Sequence, residues 1–386
     1  MASARRVPGG LRRAAPSRSR AAINSMVGIA AAVNGRTERR DGAESMKPLR
    51  ERVSAPDALR LPADVAGVTW RRIAQSDVPL LLELSQACDA VDNPWATTTE
   101  EECELWFEDP KLRLERDSAI ALDAEGRAVA YGFVSQGDER GAEIRIGLDG
   151  AVHPEWRRQG IGGALLDWQD ERGRRMLSAE DSEAPGWLTL GADEHEAGTI
   201  ALAQSRGYRI ARWWLELERD LAGVAAEPEL APGLRVEGYA GNEEATRIAR
   251  NDSFRDHWGS QPVSEREWQE ADELESARPD LSFVATEGDG GSRRVLGFVI
   301  VSVYREDWEL RGYSFGYIDL LGVVADARGR GIAKALLGRA LRALREDGLE
   351  RAVLDVDSES PTGAVGLYEG VGFGTVRRSM TLGREF

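Results

Sequence analysis

Two short stretches combine arginine and small residues at one spacing. The first is Arg157-Arg158-Gln159-Gly160-Ile161-Gly162. The second, 171 residues later, is Arg328-Gly329-Arg330-Gly331-Ile332-Ala333. Each follows an apolar run, residues 146–152 and 317–323, and each opens a segment with one apolar helical face. Ile161, Ala164, Leu165 and Trp168 make the first face. Leu336, Leu337, Ala340, Leu341 and Leu344 make the second. Strand, small-residue loop and helix start, in that order, form an anion site. Small residues let a ligand approach the backbone, and the free N–H groups of a helix start point at phosphate oxygens. Neither loop ends in the Gly-Lys-Ser/Thr of a Walker sequence, and neither is a Gly-x-Gly-x-x-Gly after a first strand.

Proton-transfer groups accompany the second loop. Asp319 lies on the preceding strand, four residues before Val323. Downstream come Leu354-Asp355-Val356-Asp357, then Ser360-Pro361-Thr362, then Leu367-Tyr368-Glu369-Gly370-Val371-Gly372-Phe373. Ser360 suits a helix N-cap and Pro361 the first helical position. A phenol such as Tyr368, with an ordinary pKa of about 10, stays protonated at neutral pH and can donate a proton.

The paired loops and the Leu-Tyr-Glu-x-x-Gly-Phe stretch resemble the acyl-CoA site of the GNAT superfamily of N-acetyltransferases. The resemblance covers roughly residues 68–386. It implies a mixed α/β fold, built as two tandem GNAT acyl-CoA N-acyltransferase domains. It implies acetyl-CoA as acyl donor and a small-molecule primary amine as acceptor, joined by direct attack in a ternary complex. Contacts to the donor are implied at Leu321, Val323, Arg328, Gly329, Arg330, Gly331 and Ala333. Val152, Arg157, Arg158, Gly160 and Gly162 are the counterparts in the first copy. Tyr368 takes the place of a tyrosine near the CoA sulfur that acts as general acid, and Pro361 stands where the family often has Asn.

The first copy departs from this pattern. Ala203 holds the Tyr368 position, and Leu148 falls opposite Asp319. The first unit is therefore expected to bind acyl-CoA or to serve as scaffold, while the second catalyses. This layout resembles tandem members of the family that acetylate a cysteinyl amino-sugar. A non-enzymatic acyl-CoA-binding module is the competing class. For catalysis, backbone N–H groups around Leu321–Val323 are expected to stabilise the oxyanion. Asp319 is the expected base, or a structural acceptor, with Asp355 and Glu309 as alternatives. His257 and Trp258, in an Asp-His-Trp-Gly cluster, are expected at the acceptor pocket. Asn93-Pro94-Trp95 occupies a similar place in the first unit.

The elements that must position these residues recur in the same order. Residues 68–72 and 234–238 open the units as strands. Helices follow over 77–89 and 243–253, then capping boxes at Thr99/Glu102 and Ser264/Glu267. Strand pairs come next, 118–122 with 127–135 and 281–286 with 295–303. Residues 66–220 and 234–386 are the expected domains. Residues 221–233, rich in Ala, Pro and Gly, are the expected linker.

Composition bounds the partners. The chain has 386 residues and a net charge of -16, which opposes a nucleic-acid partner held by phosphate contacts and favours a cationic acceptor. Residues 1–60 hold thirteen basic against five acidic groups and read as a disordered basic leader. The leader resembles a transit peptide in composition, with Met26 and Met46 as alternative starts. No apolar run reaches the ~20 residues that cross a bilayer. Two cysteines and three scattered histidines exclude a disulfide framework or metal-ligand spacing. A reducing, cytoplasmic compartment and a metal-free mechanism are expected.

Overall fold

Both capping boxes close as their spacing requires. Thr99 Oγ1 accepts from the Glu102 N–H at 3.2 Å while Glu102 Oε2 accepts from the Thr99 N–H at 2.8 Å. Ser264 and Glu267 do the same at 3.3 and 2.9 Å. The structure, a computed structural model, describes residues 47–58, 60–107, 112–136, 143–223, 230–255, 262–359 and 363–386.

In the first unit, α1 (Leu49–Arg52) precedes β1 (Thr69–Arg71), α2 (Val78–Asp92), α3 (Glu100–Leu105) and α4 (Leu114–Asp117). Then come β2 (Ser118–Leu122), β3 (Ala128–Gln136), β4 (Ile144–Val152), α5 (Ile161–Leu177), β5 (Gly186–Asp193), α6 (Ala197–Ser205) and β6 (Arg209–Asp220). The second unit repeats the order: β7 (Leu234–Gly238), α7 (Glu243–Ser253), α8 (Glu265–Asp272), β8 (Phe283–Glu287), β9 (Arg294–Ser302) and a short α9 (Trp308–Arg311). It ends with β10 (Phe315–Val323), α10 (Ile332–Glu346), β11 (Arg351–Asp357), α11 (Ala364–Gly370) and β12 (Gly374–Glu385). The mixed α/β fold is the one expected.

Among the described residues, twelve strands join one sheet, ordered β1-β2-β3-β4-β5-β12-β6-β11-β10-β9-β8-β7. The last strand of each unit lies in the other's half. β12 pairs with β5, β6 pairs with β11, and the two run antiparallel to each other at the centre. The cores record the exchange. Met380 and Leu382 of β12 pack with Ile146, Leu165 and Leu188 of the first unit. Leu217 of β6 and Leu221 pack with Leu336, Leu354 and Phe373 of the second.

Two pairs are parallel and both are short. β4 follows β5 only from Ile144 to Gly147, and β10 follows β11 only from Phe315 to Tyr317. Beyond those residues the strands part, leaving a gap in each half of the sheet. Helix α10 packs close to β10, because a Cβ at Gly316 would overlap Leu344.

Of the leader expected over residues 1–60, residues 1–46 lie outside the described residues, and Leu49–Arg52 form a helix docked on the first unit. Leu49 is fully buried and its N–H bonds the Ser182 carbonyl at 2.8 Å. Arg52 donates to the carbonyl of Phe386, at the far end of the chain. Leu49 is apolar and its site lies beside Gly186, so a basic stretch of sequence contains a hydrophobic anchor.

Candidate active site

The loop before α10 owes its shape to two glycines. Gly329 and Gly331 have φ +76° and +79°, and a Cβ on either would meet nothing within 4 Å. Only glycine adopts this left-handed backbone without cost. Gly331 is the N-cap of the fifteen-residue α10, whose first N–H groups have no partner within the helix. Before α5, Gly160 takes φ +90° and Arg158 takes φ +64° in the place of Gly329. The first loop thus keeps the same turn with a residue that is strained there by roughly 1 kcal/mol.

The arginines of these loops hold the fold. Arg328 donates Nη2 to the Ser253 carbonyl at 3.0 Å and Nε to the Val323 carbonyl at 3.3 Å. Arg157 donates Nε to Val152 O at 3.0 Å and forms a bidentate pair with Asp92 at 2.7 and 2.5 Å. Arg330 pairs with Glu287 at 2.5 Å. Arg157 thus ties its loop to β4 and α2, Arg328 ties its loop to β10 and α7, and Arg330 ties that loop to β8. Gly162 and Ala333 are the second residues of α5 and α10, where Ala333 packs on the core.

β10 carries a bulge that β4 lacks. Against β9 the register passes from Ile318↔Val301 to Leu320↔Ile300, so Asp319 is the extra residue. β4 pairs with β3 from Ile146 to Val152 without a shift. Leu320 to Val323 stay paired with β9 on one side, while the other edge faces the gap left by β11.

Asp319 is buried at the bulge. Its Oδ1 accepts a long hydrogen bond of 3.5 Å from Tyr304, and its Oδ2 has no partner. Burial pushes its pKa up to about 7, against the opposing effect of the Ser302 and Tyr304 hydroxyls. Tyr368 follows β11 on α11 and is fully buried, 5.8 Å from Phe373 in an edge-on contact. Its hydroxyl has no hydrogen-bond partner, and burial raises its pKa far above that of an exposed phenol. Asp319 lies two residues beyond the last β10–β11 pair, and Tyr368 sits on the helix that follows β11; each has a buried oxygen without a hydrogen-bond partner.

Other residues near the parting of β10 and β11 were not legible as a group in sequence. Tyr317 donates Oη to Asp355 Oδ2 at 2.6 Å, and its ring lies 5.9 Å from Tyr304. Burial, then the neighbouring Glu216 charge, raises the Asp355 carboxyl above the usual range. Glu309 is exposed on α9. His257, Trp258 and Ser360–Thr362 lie outside the described residues. Among the described residues, no three His, Cys, Asp or Glu gather as a metal site, and no helix is long and apolar enough to cross a membrane.

Family models match both units: an acetyltransferase (GNAT) family model over residues 244–373 and an acetyltransferase (GNAT) domain model over 115–210. A mycothiol acetyltransferase of Salinispora arenicola is 31% identical over 310 residues, 78% of this chain and 91% of the relative. The chain belongs to the GNAT acetyltransferase family. It is an acyltransferase, and enzymes of this family use acetyl-CoA. A mycothiol acetyltransferase of Geodermatophilus obscurus is likewise 31% identical, over 309 residues, 78% of this chain and 92% of the relative. Among solved structures, a GCN5-related N-acetyltransferase from Sphaerobacter thermophilus superposes with a TM-score of 0.63 at 25% identity. That match covers 84% of this chain and 97% of the other. A tandem GNAT protein from the clavulanic acid biosynthesis pathway shares the fold, with a TM-score of 0.59, 17% identity and 82% and 98% coverage.

Proposed function

We propose that the second unit, residues 234–386, transfers the acetyl group of acetyl-CoA to a small-molecule primary amine by direct attack, and that the first unit, residues 66–220, does not catalyse. One observation carries this reading: the second unit has the β10 bulge, the buried Asp319 and a buried, unpartnered Tyr368 hydroxyl, whereas in the first unit β4 is regular and Leu148 and Ala203 hold the corresponding positions.

The residues present fit acetyl-CoA. The open Gly329–Gly331 turn and the first N–H groups of α10 suit a pyrophosphate. The unpartnered Tyr368 hydroxyl suits a thioester sulfur. When bound, acetyl-CoA supplies an acyl group on a good leaving thiolate. Asp319 Oδ2 removes a proton from the arriving ammonium, freeing the nitrogen lone pair. N–H groups on the free edge of β10 around Leu321–Val323 donate to the carbonyl oxygen as it gains charge. Tyr368 Oη passes its proton to the departing sulfur. Arg157, Arg158, Gly160, Gly162 and Val152 shape the first unit's loop, which takes a second acyl-CoA or braces the fold. We place the reaction in the cytoplasm, where Cys88 and Cys103 stay reduced, with no nucleic-acid partner for so acidic a chain.

A second reading follows the relatives' name: the acceptor is a cysteinyl amino-sugar, as in mycothiol formation. The test of both is thiol release from acetyl-CoA with glucosamine, cysteinyl-glucosamine, putrescine and lysine. Turnover on cysteinyl-glucosamine alone selects the second reading. Stabilisation by acetyl-CoA with no thiol release on any amine would overturn acetyl transfer to these amines in favour of a binding module.

A further inference from the structure

The strand exchange carries side chains of the first unit into the second unit's half of the sheet. On β6, Glu216 lies opposite Asp355 of β11 and opposite Arg377 of β12. Directly opposed residues project from one face of a sheet, so Arg377, Glu216 and Asp355 form a row. Asp355 continues it to Tyr317 through the 2.6 Å hydrogen bond, and Tyr304 then leads to Asp319.

The row is clamped from both sides. Arg311 of α9 donates to both Glu216 oxygens at 3.1 Å and to Glu218 at 3.0 Å. Arg377 forms an ion pair with Glu216, donates Nη1 to Asn93 Oδ1 at 2.7 Å, and lies 4.6 Å from the Trp95 ring. The Trp95 ring nitrogen is buried without a hydrogen-bond partner. Glu216, Asn93 and Trp95 all precede the linker. The matching place in the first half has no such row, for there Leu190 of β5 faces Leu382 of β12.

We propose that Glu216 is a positioning residue that sets acceptor specificity in the second unit: held by Arg311 and Arg377, it fixes Asp355 and Tyr317 as a polar wall that receives a primary ammonium beside Asp319. This rests on the acetyl transfer proposed above. An ammonium brings three donors and a charge, and Asp319 Oδ2 and the Asp355 carboxyl are the acceptors that face it. The acetylated product is a neutral amide with one donor, so the wall holds substrate more tightly than product. The first unit is then part of the catalytic site through its exchanged strand and its Asn93–Trp95 loop.

The experiment measures steady-state kinetics on the full chain with the four amines named above. Glu216→Gln and Tyr317→Phe should each raise the acceptor KM about tenfold or more, with the acetyl-CoA KM within about twofold of wild type. Asp117→Asn is the structural control. It breaks a buried pair with Arg172 at 2.5 Å in the first unit and should lower Tm without changing the acceptor KM. If Glu216→Gln does not fold, Tyr317→Phe, which removes one hydroxyl, decides. Unchanged acceptor KM values on an amine that wild type acetylates overturn this inference and leave acetyl transfer standing. An equal rise in Asp117→Asn also overturns it, as a mere loss of stability. If wild type acetylates none of the amines, the underlying reading falls, and the wall with it.

Discussion

Replacing Asp319 by Asn perturbs the base and the buried charge together. In the fold the carboxyl rises from 3.8 to about 7, because burial disfavours the ionised form. That displacement is worth on the order of 4 kcal/mol between the two protonation states. The folded chain binds this proton more tightly than the unfolded chain does. The stabilisation is therefore complete below about pH 4 and is lost as pH rises to about 7. Asn does not titrate, so the variant should be flatter over that window. By calorimetry, wild type should lose about five degrees more Tm than Asp319→Asn between about pH 4 and pH 8. Catalysis has the opposite sign, since a base must be ionised. Wild-type thiol release should climb as pH passes about 7, and the variant should lose about 10²- to 10⁴-fold in kcat with its acetyl-CoA KM kept. A variant within about threefold of wild type, with the same pH profile, would remove Asp319 from the mechanism. Parallel pH dependences of Tm would show that burial does not raise this carboxyl.

Tyr368→Phe removes a buried hydroxyl that no group satisfies. It should raise the ligand-free Tm, since such a group costs about 1–3 kcal/mol, while kcat falls about 10²-fold or more and CoA binding is retained. Gly331→Glu should abolish acetyl-CoA turnover and Gly160→Glu should spare it. The reverse pattern in thiol-release assays would move catalysis to the first unit. Expression of residues 230–386 alone deprives β11 of its β6 partner, from Arg351 to Asp357. Circular dichroism should find that piece unfolded or aggregated, with folding restored by co-expressing residues 47–223. A stable, cooperative fragment would contradict the strand exchange.

The glycine turns before α5 and α10 were legible because their cause is local. A left-handed turn before an amphipathic helix demands small residues within a few positions, and Gly329, Gly331 and Gly160 meet that demand in the chain itself. The capping boxes, the strand pairs and the loss of Tyr368's counterpart at Ala203 were readable for the same reason. The polar wall was not. Glu216 reads as an ordinary charge in an alternating strand, and only its pairing with Asp355, 139 residues away, places it beside the site. Leu49 was likewise hidden in a basic leader, because its partners Gly186 and Leu177 are far along the chain.

The sequence by itself determined the repeated unit, its strand, glycine turn and helix, and the asymmetry between the two copies. These follow from periodicity and from residue types a few positions apart. Tertiary structure alone decided which half of the sheet each final strand completes, where β10 bulges, and how strongly Asp319 is desolvated. Those outcomes depend on long-range strand pairing and on burial, and no local spacing encodes either one.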